Sequence, residues 1–531
     1  MDRLSALHTT FNPSALEPLA TLPEWALFKT AAQAAPLQVS QLRLIQAAGL
    51  TLDQSAQHAS TALDQAAEAL LHARQFPVWR ERLLAGQMVN PTEDRAAWHS
   101  QLRSNHPVAD VACERERLLR FVERANRDYR WHNIVHIGIG GSDWGVRLAV
   151  SAFGYANMRR TVRFVANIDG HAVQGGLAGL DPRNTLIVVA SKSFSTAETL
   201  QNGQRAIEWL RASGIANPFE QVVAITARPD KAREWGVSDQ HIFRLWDWVG
   251  GRFSLWSAVS LTTALAVGPD VVTGMLAGAA AMDDHFAQAP IHQNAPVQMA
   301  LSGLVNRSVL GYGSLNLAPY DFRLANLVPY VQQLDMESLG KSVTHSGQPA
   351  GVPTGPAVWG MPGTDAQHTF FQWLHQGTDG APVDFIACQH ADHGWPDHHR
   401  SLLANCLAQR EALLRGKNLD HALTESRTGE LGEDDTRWLA HHKVHAGGRP
   451  SNLIVLPRLT PETLGALLAL YEHKIFVQGV LWGINPFDQW GVEYGKVLAK
   501  GIQGALAGTG VHGDHDASTS HWVHRWASHT Q

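Results

Sequence analysis

Short apolar runs that stop at glycines or hydroxyl side chains, each followed by a stretch with helical spacing, recur through most of this chain. NIVHIGIGGSDWG, beginning at Asn133, reads as a strand that runs straight into glycines. TVRFVANID from Thr161, NTLIVVASKSFSTAETL from Asn184 and FEQVVAITA from Phe219 repeat the pattern. Strand, loop and helix in alternation predict a parallel α/β sheet, because the crossover between parallel strands needs an intervening helix. A second set follows a helical stretch around residues 253–310, with PVDFIACQH from Pro382 and SNLIVLPRL from Ser451 as strands. Thr460 and Pro461 then open a helix as N-cap and first helical residue, with Leu464, Leu467, Leu468, Tyr471 and Ile475 on its apolar face. The pattern predicts two α/β units, one in each half.

The first 105 residues or so are rich in Ala, Leu and Gln and read as helical. STALDQAAEALLHARQ from Ser60 is a surface helix with Leu63, Ala67, Leu70 and Leu71 on one face. GTGVHGDHDASTSHW (508–522) reads as a loop.

With 44% hydrophobic and 17% charged residues, 531 residues can bury a sizeable core. A net charge of -5 lacks the strongly basic footprint of a dedicated nucleic-acid binder, so no nucleic-acid partner is expected. Met1-Asp2-Arg3-Leu4 has no basic segment leading into an apolar stretch, so no secretory signal is expected. The apolar, uncharged run Phe253 to Pro269 is short for a membrane span and carries five hydroxyls; it reads as a buried core helix, with no membrane partner. Cys113, Cys388 and Cys406 make no CxxC pair, which predicts neither a disulfide framework nor a cysteine metal site and fits a reducing cytoplasm.

Several segments carry candidate chemistry. In GIGGSDWG (138–145), glycines after a strand let backbone approach a ligand, or simply make a tight turn. The spacing superficially matches a dinucleotide loop, but no acidic residue ends a second strand about 20 residues on, and Asp169 lies further away. In ASKSFSTAET (190–199), Ser191, Lys192, Ser193, Ser195 and Thr196 put hydroxyls and an ammonium at a helix start. That suits a phosphate, or a hydroxyl cap. Arg252, after two glycines in WDWVGGRFSLWSA, suits an oxyanion stabiliser or a buried ion pair. Glu337, between Met336 and Ser338, suits a tuned general base or a surface carboxylate. His368 suits a proton shuttle or a structural histidine, and Lys496, on a helix predicted to begin near Val492-Glu493, an acid–base group or a solvated charge. The 28 histidines include clusters at His390, His393, His398 and His399 and at His441, His442 and His445; neither cluster makes HExxH, so polar histidine-rich loops fit better than a metal site.

Together and in this order, GIGGSDWG, SKSFSTAET, VGGRFSLWSAVS, QQLDMESLGK, GTDAQHTFFQWLHQG and NPFDQWGVEYGK resemble six motifs of the glucose-6-phosphate isomerase family, spanning residues 138–496. The resemblance implies an α/β fold of two sugar-isomerase (SIS) domains, each a flavodoxin-like parallel sheet. Residues 1–105 would be a helical segment packing on the large domain, 106–275 the first, phosphate-binding SIS domain, and 276–531 the second with a C-terminal helical arm. It implies reversible isomerisation of glucose 6-phosphate and fructose 6-phosphate through ring opening and a cis-enediol, in glycolysis and gluconeogenesis, with no cofactor and no metal. Carried over position by position, Gly141, Ser142, Ser191, Lys192, Ser193 and Thr196 would hold the phosphate, and Gln333 and Gln489 would contact the sugar. Glu337 would be the base and Arg252 would sit by the reacting carbons. His368 and Lys496 would open the ring, His368 reaching across from the neighbouring subunit of a homodimer. Ser193 and Ser195 stand where threonines are usual, Trp144 for a leucine, Leu339 for an asparagine and Asp365-Ala366 for Asn-Gly, and residues 445–452 also differ from the usual form.

Two other readings share parts of this pattern. A non-catalytic sugar-phosphate sensor needs the hydroxyl loop but not Glu337, Arg252, His368 and Lys496 together. An isomerase that also takes mannose 6-phosphate differs in how it handles the second carbon.

Overall fold

The computed structural model describes residues 16–37, 41–427, 431–508 and 514–527, so the opening Met1–Leu4 segment lies outside the described residues. The N-terminal segment is not wholly helical as expected. Leu44–Ala47 (β1) and Leu50–Ala56 (β2) pair antiparallel, and Met88–Asn90 (β3) and Arg95–Ala96 (β4) form a hairpin. In β2 the buried positions include Gln54 and Ser55 as well as Leu50 and Leu52, and those polar residues mask its alternation. The expected surface helix forms over Thr61–Ala73, capped by the Ser60 hydroxyl accepting from the Leu63 amide at 3.1 Å, and buries Leu63, Ala67, Leu70 and Leu71.

The first half of the chain then supplies Asn133–Ile137 (β5), Thr161–Val165 (β6), Thr185–Ala190 (β7), Val222–Thr226 (β8) and Ile242–Arg244 (β9). They form one parallel sheet in the order β6-β5-β7-β8-β9, the flavodoxin-like arrangement. All six residues of β7 are buried, as expected of a strand covered on both faces. One side packs Val135, Ile187 and Val222 against Ile207 and Leu210 of the helix Ala197–Ala212.

The second sheet uses Ser314–Tyr320 (β10), Ala357–Gly360 (β11), Val383–Cys388 (β12) and Ser451–Leu456 (β13). Its order is β1-β2-β13-β12-β10-β11; the four late strands are parallel, and the N-terminal pair joins them through an antiparallel β13–β2 contact. The Ala-Pro-Tyr ending of β10 hides a strand, since proline is rare inside a sheet.

The helix Pro461–Trp482 follows β13 through a capping box: the Thr460 hydroxyl accepts from the Thr463 amide at 3.3 Å, and the Thr463 hydroxyl accepts from the Thr460 amide at 2.9 Å. Every residue from Leu464 to Trp482 is buried. It crosses the helix Pro269–Gln288 at backbone contact, since a Cβ at Gly278 would stand 1.8 Å from Glu462 O and one at Gly465 2.0 Å from Met275 O. Among the described residues it is the one helix long and apolar enough to cross a membrane, and its apolar window is entirely buried in the protein.

This buried helix carries charge that anchors its neighbours. Lys474 Nζ lies 2.6 Å from Asp335 Oδ2, His473 Nε2 lies 2.6 Å from Asp283 Oδ1, and Glu472 accepts from Trp256 Nε1 at 2.8 Å and from Arg103. Arg103 also grips Asp283 through Nε and Nη2 at 2.8 and 2.7 Å. Asp335 and Trp256 belong to the two elements that carry Glu337 and Arg252.

Residues up to Pro486 form one unit and Phe487–Gln531 a second. In the second, Trp490–Val492 is a 3-10 turn, followed by the helices Glu493–Leu506 and Ala517–Ala527. The expectation of a loop over 508–522 is thus corrected for its last six residues, while 509–513 lie outside the described residues. Asp516 starts that helix: its Oδ1 accepts from the Ser518 and Thr519 amides, each at 3.0 Å.

Candidate functional site

Ligands of open α/β sheets bind beyond the carboxyl ends of the strands where the strand order reverses. In the first sheet that place lies between β5 and β7. After β5 the chain enters the 3-10 turn Gly140–Ser142 and then the helix Trp144–Asn157. Gly140 has φ +58°, and a Cβ there would stand 2.7 Å from Gln333 Nε2; one at Gly141 would stand 2.1 Å from Gly251 O. The glycines let two other elements touch this backbone. The Ser254 hydroxyl donates to Gly141 O at 3.2 Å, and Asp143 pairs with Arg147 at 2.9 Å.

His136, not singled out by sequence, fixes the turn from inside β5. Its Nε2 lies 2.7 Å from Ser142 O and its Nδ1 2.8 Å from Thr262 Oγ1. Burial pulls the imidazole down to about 4, so it is neutral at pH 7, with Nε2–H donating to the carbonyl and Nδ1 accepting from the hydroxyl.

After β7 comes the hydroxyl loop, with Thr196 as N-cap of the helix Ala197–Ala212 and no side-chain bond capping it. The first-turn amides are groups an anion can satisfy. Ser191 Oγ lies 3.2 Å from Thr196 Oγ1, and Ser195 Oγ donates to Ser193 Oγ at 2.9 Å. Between them Phe194 adopts φ +44° with its ring buried. Lys192 Nζ donates to Asp247 O at 2.8 Å and Val249 O at 2.7 Å, immediately upstream of Gly250-Gly251-Arg252. Burial, reinforced by the nearby Arg95 cation, brings this amine down to about 8.

Arg252 lies in the 3-10 helix Gly251–Trp256, 3% exposed, anchored through Trp256 on buried Glu472. Its Nε donates to Ser338 Oγ at 2.7 Å, its Nη2 to Pro486 O at 2.6 Å and its Nη1 to Glu337 Oε2 at 3.2 Å. Glu337 is near the end of the helix Leu327–Leu339. Gln333, one turn earlier, donates to Glu337 Oε1 at 3.2 Å. The Glu337 side chain is 31% exposed, so its carboxylate reaches solvent while the guanidinium behind it does not. An accessible carboxylate can take a proton from a carbon acid while the fixed, buried guanidinium next to it stabilises the oxyanion that results.

The structure therefore brings Gly141, Arg252, Gln333 and Glu337 together, and ties Lys192 to the Arg252 segment. His368 ends the 3-10 turn Asp365–His368, exposed on the loop after β11. In the second unit, Lys496 lies on the helix Glu493–Leu506, exposed and paired with Glu493 at 2.7 Å, and Gln489 precedes the turn Trp490–Val492. Ser338 and Lys341, which hold Arg252 and the end of the Glu337 helix, were not singled out by sequence; their signal was adjacency to Glu337 in MESLGK. Among the described residues no three His, Cys, Asp or Glu side chains converge in a way that could hold a metal ion.

Residues 53–523 match the family model of phosphoglucose isomerase. The chain belongs to the phosphoglucose isomerase family. The glucose-6-phosphate isomerase of Bordetella pertussis is 56% identical over 511 residues, which cover 95% of this chain and 98% of that one. The glucose-6-phosphate isomerase of Saccharophagus degradans is 43% identical over 497 residues, 90% of each chain. The crystal structure of a glucose-6-phosphate isomerase from Chlamydia trachomatis superposes with a TM-score of 0.83 at 29% identity, covering 97% of this chain and all of that one. For a phosphoglucose isomerase family member, the departures from the common pattern have simple surroundings here. Leu339 is fully buried at the end of its helix, and Ala366 is fully buried against Phe371 and Leu374 while Asp365 faces solvent.

Proposed function

We propose that this family member interconverts glucose 6-phosphate and fructose 6-phosphate with Glu337 as the base and Arg252 as the stabiliser of the intermediate. The observation that carries this reading is the 3.2 Å approach of Arg252 Nη1 to Glu337 Oε2, with the guanidinium buried and the carboxylate accessible. In the open-chain aldose, the Glu337 carboxylate takes the proton from C2. The C–H electron pair forms the C1=C2 double bond, and the carbonyl pair moves onto O1. The resulting cis-enediolate carries negative charge that guanidinium, which stays protonated, offsets at no cost of reorientation. The O2 hydroxyl proton passes to O1, and as Glu337 returns its proton to C1 the O2 atom becomes the carbonyl of the ketose. One carboxylate serves both transfers because both carbons present the same face.

The phosphate end does not react; its binding energy positions the sugar. Ser142, Ser191, Ser193, Thr196 and the first-turn amides of the helix Ala197–Ala212 are the groups suited to it. Lys192 contributes charge from behind, since its ammonium is already bonded to two carbonyls. Gln333 and Gln489 would contact the sugar. His368 and Lys496 are the acid–base pair for ring opening, His368 supplied by the partner in a homodimer; its exposure on a loop supports that role. A cytoplasmic location goes with this reading.

The test is to incubate the purified chain with fructose 6-phosphate and EDTA and follow glucose 6-phosphate with a coupled dehydrogenase. Rapid formation is expected. A folded chain that forms none overturns the reading.

A further inference from the structure

The helix that carries Glu337 ends at Leu339, and Lys341 turns back onto it. Lys341 Nζ lies 2.9 Å from Glu337 O, 3.1 Å from Ser338 O and 2.9 Å from Asn485 O. The first two are terminal helix carbonyls, which have no donor within the helix and carry partial negative charge. The third belongs to the strap after the buried helix Pro461–Trp482. The next strap residue, Pro486, gives its carbonyl to Arg252 Nη2 at 2.6 Å, and Ser338 gives its hydroxyl to Arg252 Nε at 2.7 Å. The backbone of the base and the backbone that holds the guanidinium therefore meet at one ammonium.

Each side of this junction is also held from elsewhere. Asn485 Nδ2 donates to Asn90 Oδ1 at 2.8 Å and Thr92 Oγ1 at 2.7 Å, beside the β3–β4 hairpin. A Cβ at Gly355 would stand 2.4 Å from Leu339 O, so the helix end has no room to move in that direction. Lys341 joins two braced parts.

We propose that Lys341 is a positioning residue of the isomerisation, setting the separation of Glu337 and Arg252 through three carbonyl oxygens without touching substrate. This rests on the roles given above to Glu337 and Arg252. An ammonium presents three donors around one point, which suits three converging carbonyls; the planar fork of arginine does not. Ground-state binding through the phosphate does not depend on this junction, whereas stabilisation of the enediolate does.

The experiment uses the full chain with Lys341→Met and Lys341→Arg. It measures turnover of fructose 6-phosphate and binding of two inhibitors. D-Arabinonate 5-phosphate carries a carboxylate in place of the enediolate, and D-sorbitol 6-phosphate carries no charge there. A misplacement on the order of 1 Å lowers kcat by about 100-fold, and both variants are expected to show a loss of about that size with KM within about threefold of wild type. Arabinonate 5-phosphate should weaken by about 30-fold or more while sorbitol 6-phosphate stays within about twofold, because only the former reads the charged intermediate. Near-wild-type kcat, equal weakening of both inhibitors, or full recovery in Lys341→Arg would each overturn the proposal. If Lys341→Met does not fold, Lys341→Arg decides by the same ratio of inhibitors. A wild-type chain with no turnover would instead remove the roles of Glu337 and Arg252, a separate failure.

Discussion

Arg252 holds two successive residues of one helix, with Nη1 3.2 Å from Glu337 Oε2 and Nε 2.7 Å from Ser338 Oγ. Glu337, the proposed base, is therefore oriented through its own side chain and through its neighbour. Glu337→Gln keeps the shape of the side chain and can still accept from Arg252, but it cannot take a proton. Turnover of fructose 6-phosphate should fall by about 100- to 10,000-fold, the range of a lost general base, while D-sorbitol 6-phosphate binds within about threefold of wild type. Retained turnover would show that another group is the base.

Lys192 links the hydroxyl loop to the segment before Arg252, and its amine is brought down to about 8. Raising the pH through this value removes a positive charge beside the hydroxyl loop proposed to hold the phosphate. The prediction is that kcat/KM, which reports the free enzyme, declines above about pH 8 and that Lys192→Met lacks this limb. Identical alkaline limbs in the two proteins would mean that Lys192 charge has no part in binding.

Much of this site was readable as sequence because strands of a parallel sheet announce themselves as apolar runs and their ends carry the chemistry. β5, β7, β12 and β13 form where those runs lie, and the Thr460-Pro461 signal marks the start of the buried helix. β2 and β10 were hidden by Gln54, Ser55 and Pro319, whose polar or helix-breaking character says nothing about a strand completed by distant partners. Gly141, Arg252 and Glu337 were legible as residue types, but their meeting was not, since it depends on Gly251 and Gly141 approaching at backbone distance. The supports are less legible still. Nothing local marks Lys341 as bonded to Asn485 O, or Glu472 as the acceptor for Trp256.

His136 makes a second pH prediction, of stability. Folding lowers its pKa from 6.5 to about 4, so between those values the unfolded chain takes up a proton that the folded chain refuses. Stability from this residue is complete above pH 6.5 and is lost as pH falls toward 4, with a slope of about 1.4 kcal/mol per pH unit. His136→Leu should be less stable at pH 7, because Ser142 O and Thr262 lose their partner. Its urea midpoint should nevertheless drop less between pH 7 and pH 5 than that of wild type. Equal drops would show that His136 is protonated in the fold.

Lys474 and Asp335 form an ion pair at 2.6 Å with side chains 3% and 0% exposed. The pair joins the buried helix to the helix of Glu337, two residues before that carboxylate. Removing one charge leaves the other desolvated and unmatched. Lys474→Met should therefore cost about 3–5 kcal/mol of stability, read as a loss of urea midpoint. Asp335→Leu in the same chain removes the stranded carboxylate, and the double variant should recover at least half of that loss. If the double variant is no more stable than Lys474→Met, the cost lies in lost packing around the lysine stem. Turnover then separates two functions of the pair. A double variant that recovers stability but not kcat would show that this tie also sets the placement of Glu337, whereas full recovery of both would confine it to holding the helices together.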